Sequence, residues 1–433
     1  MDKSSEIFKE DFSDFSNSLN NIELNPLAKT QNITNINQLR NSVLGPQEEL
    51  NETILGNILR KNSINKRKNV FLSEKDLRIP EFYNSLEKSG IISLKSEDFL
   101  LLRKMPKKTE QEFNDLKKDI IDENTLQQLY NYLDQINCNL KSEVCYSSIG
   151  GITPLTYLIE SFFNADKEKV KEMVDKYNLL SPYIYNYRTI SGDGNCFYRA
   201  VMFRYLEILI INNKIEYLQN VIFDIVNSFK SEELKSRRVI KNMDIKPELT
   251  IKILIMIVEL LKKGMKKEAH LFLVKSFLTC QKFDYAIILY FRYILYDYIK
   301  NNENKTYTKA FPIKIGNLLP AQYETEEGKF LFNDFYENFL LKFYCEAEKI
   351  IIYLTPFVLG IELNIIIFDD NEDEIVKKFK WQEDSILNEL IINDVISLIN
   401  KKYHYEIIYS PKDYENNKLL FKLYENNKKY IFI

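Results

Sequence analysis

Near the middle of the chain, a glycine-bearing loop runs directly into an apolar segment, and a cysteine stands at the junction. Residues 191–195 read Ser-Gly-Asp-Gly-Asn, Cys196 follows, and the segment 197–210 is rich in Phe, Leu, Ile and Val, which predicts a buried helix. A thiol at a helix N-terminus lies at the positive end of the helix dipole, which favours the nucleophilic thiolate. Glycines let the loop backbone approach a substrate and direct N–H groups at an oxyanion. Cys196 is therefore a candidate nucleophile.

The chain has two histidines, so an imidazole base for Cys196 must come from His270 or His404. His270 falls in an amphipathic helical stretch, where we expect a half-exposed side chain. His404 begins a segment rich in aromatic and β-branched residues, which predicts a strand. Because side chains alternate along a strand, Glu406 shares a face with His404 at a distance of about 6.6 Å, within reach of the imidazole Nδ1–H. The pattern predicts a nucleophile, a base and an orienting acid.

The two segments resemble the otubain family of ovarian-tumour-type deubiquitinating cysteine proteases. The string Asp-Gly-Asn-Cys-Phe-Tyr-Arg-Ala at 193–200 is similar to the nucleophile motif of that family, and 404–409 is similar to its histidine strand. Two positions differ, since Glu406 stands where otubains usually have Asp and Tyr403 where they have Gly. Three intervening segments also resemble family elements, and they lie at 283–292, 346–350 and 359–363. The likeness covers residues 150–410.

The resemblance implies the papain-like cysteine protease fold, an α+β arrangement in which a small β-sheet is flanked by helical subdomains. It implies a thiol isopeptidase that hydrolyses the bond between the C-terminal glycine of ubiquitin and a lysine amine through a thioester on Cys196. By the same resemblance His404 is the general base, Glu406 the orienting acid, and Asp193 the aspartate that shapes the oxyanion site. The backbone N–H of Cys196 is one oxyanion donor.

Partners and alternatives follow from the same likeness. It implies ubiquitin and polyubiquitin chains as partners, and a ubiquitin-conjugating enzyme stays open as another; no metal or organic cofactor is required. A non-catalytic regulator that binds ubiquitin or a conjugating enzyme is the main alternative, because Glu406 departs from the family pattern and the chain has a long N-terminal extension. A third hypothesis is a papain-like hydrolase that cleaves a different amide bond. A fourth is that Cys196 has only a structural role.

Composition narrows the class of protein. The 433 residues are 45% hydrophobic and carry a net charge of −3, which supports a sizeable core and gives no case for nucleic-acid binding. The five cysteines are odd in number and form no C-x-x-C pair, which predicts reduced thiols and no zinc site. The polar N-terminus does not resemble a signal peptide, and polar residues interrupt the apolar stretch 350–368. We expect a cytoplasmic protein, with the nucleus also open, that binds no membrane.

Patterning along the chain predicts four segments and a set of secondary-structure elements. Adjacent Gly150 and Gly151 predict a hinge before the catalytic domain. The segments are 1–70, a largely disordered polar stretch; 71–149, a mostly helical N-terminal extension of unknown role; 150–410, the catalytic domain; and 411–433, a C-terminal tail or hairpin. The predicted helices include 153–163, 167–178, 249–263, 266–279 and 284–301, and the predicted strands are 364–368 and 404–409.

Overall fold

The structure is a computed structural model, and the residues that it describes belong to one compact unit, Leu94–Ile433. They are 100–121, 124, 127, 148–162, 169–231, 234, 245, 247–307, 314–319, 323, 331–368, 376–379, 395–401 and 404–422. The predicted disordered segment 1–70 lies outside them, as do most of the predicted extension and residues 423–433 of the predicted tail.

A mixed six-stranded sheet lies on one side of the molecule. Its strands are β1 (Ile149–Pro154), β2 (Asn186–Ile190), β3 (Glu362–Ile367), β4 (Val376–Phe379), β5 (Val395–Lys401) and β6 (His404–Tyr409). They are arranged in the order β1-β2-β6-β5-β3-β4; β3 and β5 run parallel and the other neighbours antiparallel. In the β5–β6 pair Lys401 lies opposite His404. The predicted strand 404–409 is confirmed with its bounds.

Helices cover the sheet and form a separate layer beside it. They are α1 (Glu110–Ile120), α2 (Leu155–Phe162), α3 (Val170–Leu180), α4 (Cys196–Ile211), α5 (Ile215–Lys230), α6 (Pro247–Lys262), α7 (Lys266–Thr279), α8 (Gln281–Asn302), the single turn α9 (Phe332–Phe335), α10 (Lys349–Leu359) and α11 (Pro411–Phe421). This arrangement confirms the predicted α+β class. No helix within the described ranges is long and apolar enough to cross a membrane.

Helix α4 is the central element of the fold. All 16 of its residues are buried. It packs on β5 and β6 on one side and on α7 and α8 on the other. A mostly apolar helix is stable in such an enclosed position, and its charged residues Arg199, Arg204 and Glu207 form buried ion pairs. The predicted buried helix is confirmed, and Cys196 at its first residue stands where the sheet meets the helical layer.

The predicted hinge at Gly150 and Gly151 is wrong, because both glycines lie within β1. The pairing of β1 with β2 is irregular between Ile149 and Ile152. Thr189 of β2 approaches Gly150 so closely that a side chain there would collide with it. The glycines therefore serve close strand packing at a bulge, which is a common use of glycine in sheets.

The predicted tail or hairpin after residue 410 is wrong over 411–421, where the chain forms α11. The helix begins with a capping box, because the Ser410 side chain accepts from the Asp413 N–H at 3.1 Å and the Asp413 carboxylate accepts from the Ser410 N–H at 3.3 Å. Pro411 occupies the first helical turn, where its missing N–H is not needed. Tyr414 and Phe421 are buried. The sequence signal for this helix start was Ser-Pro-x-Asp.

Hydrogen bonds join residues 100–109 to the helical layer. The Arg103 guanidinium donates two hydrogen bonds of 2.8 Å to the Asp224 carboxylate on α5. The Tyr290 hydroxyl of α8 donates to the same carboxylate at 2.5 Å. The Arg103 N–H donates to the Phe357 carbonyl of α10 at 2.8 Å. The Tyr298 hydroxyl of α8 donates to the Leu101 carbonyl at 2.7 Å, so the stretch contacts α5, α8 and α10.

Helix α1 follows that stretch and packs on α6. The Phe113 side chain is buried, and the Lys262 ammonium lies 4.6 Å from the centre of its ring. Two ion pairs join the helices, Lys262 to Glu110 at 2.5 Å and Lys117 to Glu259 at 2.7 Å. Residues 100–120 are thus an integral part of the folded unit.

Replacing Arg103 by Ala should destabilise the protein strongly. The change leaves the mostly buried Asp224 carboxylate without its guanidinium, which typically costs about 3–5 kcal/mol. The free energy of unfolding in urea measures this. The control is Lys108→Ala, which removes a surface pair with Glu112 and should cost less than about 1 kcal/mol. Equal costs for the two variants would contradict a structural role for the Arg103 pair.

Candidate active site

The loop before α4 places Cys196 at a helix N-terminus, as the sequence predicted. Gly194 has a φ of 77°, a left-handed conformation that glycine adopts without strain. Asn195 is the N-cap residue, and Cys196 follows with only 3% of its surface exposed. The thiol is therefore mostly enclosed and lies at the positive end of the α4 dipole.

Arg199 connects the nucleophile loop to α8. Its guanidinium is buried and donates to the Asp193 carboxylate at 2.9 and 2.8 Å. It also donates to the buried Asp284 carboxylate at 2.9 to 3.1 Å. Burial alone would raise the pKa of Asp193, but the hydrogen bonds and charge of Arg199 outweigh that effect and lower it. Asp193 is therefore held ionised against Arg199.

The placement of Asp193 also restricts which backbone groups can stabilise an oxyanion. Its Oδ1 atom accepts the Asn195 N–H at 3.0 Å. That N–H is therefore already engaged by a side chain of the loop itself. Asp193 thus fixes the shape of the loop rather than contacting a reacting atom, and its predicted role in shaping the oxyanion site stays a prediction.

Segment 340–345 docks on the same loop through the Asn195 side chain. The Asn195 Oδ1 atom accepts from the Arg292 guanidinium at 2.9 Å and from the Tyr344 N–H at 3.1 Å. Arg292 also donates to the carbonyls of Leu340 and Cys345 at 2.9 and 2.8 Å. Tyr344 has a φ of 63°, a conformation that is strained for a tyrosine. The loop is therefore held from two distant parts of the chain.

His404 lies beside Cys196 at the start of β6. A hydrogen bond links the His404 imidazole to Cys196. Burial alone would lower the pKa of His404, but interactions with Cys196 and then with Glu406 outweigh it and raise the pKa to about 9. The imidazole is therefore protonated at neutral pH.

Glu406 lies on the same face of β6 as His404, as the strand pattern predicted. Its Oε1 atom is 3.7 Å from His404 Nε2. The other ring nitrogen faces the loop, since a β-carbon built on Gly192 would lie 3.6 Å from His404 Nδ1 and Cε1. The predicted contact with Nδ1 is thus wrong. The nitrogen nearer Glu406 is Nε2, because the ring turns its Nδ1 edge toward the loop that bears Cys196.

A protein-family model described as Peptidase C65 Otubain matches residues 141–410. The chain belongs to the otubain family.

Solved structures similar to this otubain include two complexes. One is h/ceOTUB1-ubiquitin aldehyde-UBC13~Ub, with 19% identity, a TM-score of 0.42, and coverage of 65% of this chain and 97% of that chain. The other is a ceOTUB1 ubiquitin aldehyde UBC13~Ub complex, with 20% identity, a TM-score of 0.39, and coverage of 65% and 98%. No curated protein matches the chain significantly.

His270 lies elsewhere in this otubain and is buried, so its predicted half-exposed position is wrong. Its Nε2 atom is 2.9 Å from Oε1 of Glu207 on α4, which also accepts from Arg204 at 2.8 Å through its other oxygen. Burial alone would raise the pKa of Glu207, but His270 and Arg204 lower it to about 2. Glu207 is eleven residues along α4 from Cys196, about 16 Å at 1.5 Å per residue. His404 is therefore the histidine placed to act on Cys196.

Three residues around the site were not singled out from the sequence. Lys401 pairs with Glu406, Tyr344 contacts the loop, and Arg292 binds both the loop and segment 340–345. Arg292 carried a readable signal, because an arginine within an apolar helix is expected to have buried partners. Tyr344 and Lys401 carried none, since their partners are set by tertiary structure.

Metal-binding side chains and the other cysteines are the remaining groups of chemical interest among the described residues. No group of three His, Cys, Asp or Glu side chains within the described ranges is arranged to hold a metal ion. Among the described residues, Cys196, Cys280 and Cys345 are not joined in disulfides. Burial raises the pKa of Cys280 to about 11, which keeps it protonated and weakly nucleophilic. Cys138 and Cys145 lie outside the described residues.

Replacing Gly194 by Ala should reduce both stability and activity. A β-carbon there would lie 2.6 Å from the carbonyl carbon and oxygen of Tyr344. Gly264→Ala is a matched control, since Gly264 has a similar φ of 75° and no atom within 4 Å of the same position. Both variants pay about 1–2 kcal/mol for the left-handed backbone, but only Gly194→Ala also displaces the loop.

Urea unfolding and the rate of Cys196 alkylation together measure this difference. We expect Gly264→Ala to alkylate like the native protein. A Gly194→Ala variant that matched the control in both measurements would show that the Tyr344 contact does not fix the loop.

Proposed function

We propose that this otubain is a deubiquitinating cysteine isopeptidase, which cleaves the bond between the C-terminal glycine of ubiquitin and a lysine amine. The observation that carries the proposal is the pairing of Cys196 at the start of α4 with the protonated His404 on β6. A thiolate and an imidazolium in contact form the reactive pair of cysteine proteases. Family membership supports the choice of ubiquitin and polyubiquitin as substrates.

In the proposed reaction, the Cys196 thiolate attacks the carbonyl carbon of the terminal glycine. The resulting oxyanion accepts a hydrogen bond from the Cys196 N–H. As the tetrahedral intermediate collapses, its bond to the lysine nitrogen breaks, and the His404 imidazolium donates a proton to the departing amine. A thioester remains on Cys196. Water then attacks the thioester, His404 accepts the proton of that water, and the glycine carboxylate leaves as the thiolate reforms.

Glu406 supports the imidazolium in this scheme. At 3.7 Å its carboxylate is beyond ordinary hydrogen-bond distance from Nε2, but its negative charge still favours the protonated ring. Catalytic hydrogen bonds are often long without substrate and shorten in the complex. Glu406 is thus proposed as the orienting acid, in the position where otubains usually have Asp.

The same long separation favours a second candidate function. A weakly oriented His404 suits a protein that binds ubiquitin, or a ubiquitin-conjugating enzyme, without cleaving. The h/ceOTUB1 complex contains ubiquitin aldehyde and UBC13~Ub, and we propose corresponding partners for this chain on the basis of its family. The contact between Cys196 and the protonated His404 makes the enzyme the first proposal.

A panel of diubiquitins with different linkages tests the enzyme directly. We expect the native protein to cleave at least one linkage and Cys196→Ala to lose the activity by about 10⁴-fold or more, because the nucleophile is absent. Cys280→Ala is the matched control and should retain full activity. Cleavage by Cys196→Ala would refute the mechanism. Binding of ubiquitin without any cleavage by the native protein would establish the regulator instead.

The pH dependence of kcat/KM tests the protonation state of His404. Because the pKa of His404 is raised to about 9, the imidazolium persists at neutral pH and is lost as the pH rises through about 9. We expect kcat/KM to fall on that alkaline side. Glu406→Gln removes one of the groups that raise this pKa, so its alkaline limb should lie at lower pH. A limb unchanged by Glu406→Gln would show that Glu406 does not support the imidazolium.

A further inference from the structure

The two carboxylate oxygens of Glu406 lie near two different cationic groups. Its Oε2 atom lies 2.9 Å from Lys401 Nζ, and its Oε1 atom lies 3.7 Å from His404 Nε2. Lys401 ends β5 directly opposite His404 in the strand pair. We infer that Lys401 is a positioning residue, which holds Glu406 in the orientation that serves His404. The inference rests on the proposed function.

The length of the glutamate side chain explains why such a residue is needed. Glu has one more rotatable bond than the Asp that otubains usually carry, so more of its rotamers point away from the histidine. The side chain is only 4% exposed, and a buried carboxylate without a partner would take up a proton or turn away. The Lys401 ammonium forms an ion pair with Oε2 at 2.9 Å, which leaves Oε1 on the side of His404 Nε2.

Lys401 is itself held in place. Its Nζ atom lies 5.7 Å from the ring centre of Tyr187 on β2, within the range of a cation–π contact. Burial, together with the charge of Glu406, raises the pKa of Tyr187, so the phenol stays neutral and adds no competing charge. Among the described residues, Cys196 from α4 faces His404, while Lys401 from β5 and Tyr187 from β2 face Glu406.

Lys401 has two conceivable effects on the contact between Glu406 and His404, and the two predict opposite changes in the pH dependence. If Lys401 holds Glu406 for His404, its loss weakens the carboxylate's support of the imidazolium. If Lys401 instead draws Glu406 away from His404, its loss brings the carboxylate closer and strengthens that support. The direction in which the alkaline limb moves therefore separates a positioning residue from a competitor.

The test compares Lys401→Met with Lys401→Arg in the cleavage of the best diubiquitin substrate. We expect Lys401→Met to lower kcat about tenfold with little change in KM, because a misplaced orienting group affects the chemical step. Its alkaline limb should move to lower pH, as in Glu406→Gln. Lys401→Arg keeps the charge and should restore most of kcat. Lys418→Met, which removes an exposed pair with Glu415, is the matched control and should change neither parameter.

A double-variant cycle shows whether Lys401 acts through Glu406. In a Glu406→Gln background, Lys401→Met should change kcat by less than about twofold, because the group that it positions is already lost. An undiminished tenfold effect in that background would overturn the inference. So would a rise in kcat with an alkaline limb at higher pH. Urea unfolding of each variant checks that the fold is retained.

Alkylation of Cys196 by iodoacetamide, followed on its own peptide by mass spectrometry, separates this inference from the proposed function. The pH profile of that reaction reports the Cys196–His404 pair without any ubiquitin. If the native protein cleaves no substrate, a shift of the alkaline transition to lower pH in Lys401→Met would still support the inference. An unshifted transition would refute it, whatever the substrate.

Discussion

The rest of the site depends on the ion pairs that the Arg199 guanidinium forms. It is buried between Asp193 of the nucleophile loop and Asp284 of α8, so the position of the loop is set by a helix 85 residues further along the chain. The buried Arg292 guanidinium, which binds the loop through Asn195, adds a second positive charge that interacts with Asp193. Breaking this bridge would leave buried carboxylates unpaired, which is why its members are constrained together.

Local sequence patterns predicted the parts of the site that are built locally. The Gly-containing loop, the mostly apolar α4 and the alternating β6 each follow from a short segment, and those segments carry Cys196, His404 and Glu406. Helix-forming periodicity also located α6, α7 and α8 to within three residues at each end. These features were readable because each element expresses its own burial pattern.

Features that depend on distant pairings were not readable. The N–H of Tyr344 meets Asn195 across 149 residues, and no short-range pattern indicates that contact. His270 was expected at half exposure because its helix appears amphipathic, whereas the acidic Glu207 on α4 allows the imidazole to be buried. The ring nitrogen that faces Glu406 was likewise decided by how the loop packs against His404. Strand spacing alone leaves that orientation open.

Residues 100–120 belong to the folded unit although they precede the residues matched by the family model. The family match begins at residue 141, yet Phe113 and Arg103 already fill positions on the helical layer. A chain shortened to the matched residues would expose the apolar face of α6 to water and leave the Asp224 carboxylate beside it. Newly exposed apolar surface of this kind promotes self-association. We therefore expect a chain that begins at residue 141 to self-associate more than one that includes residues 100–120.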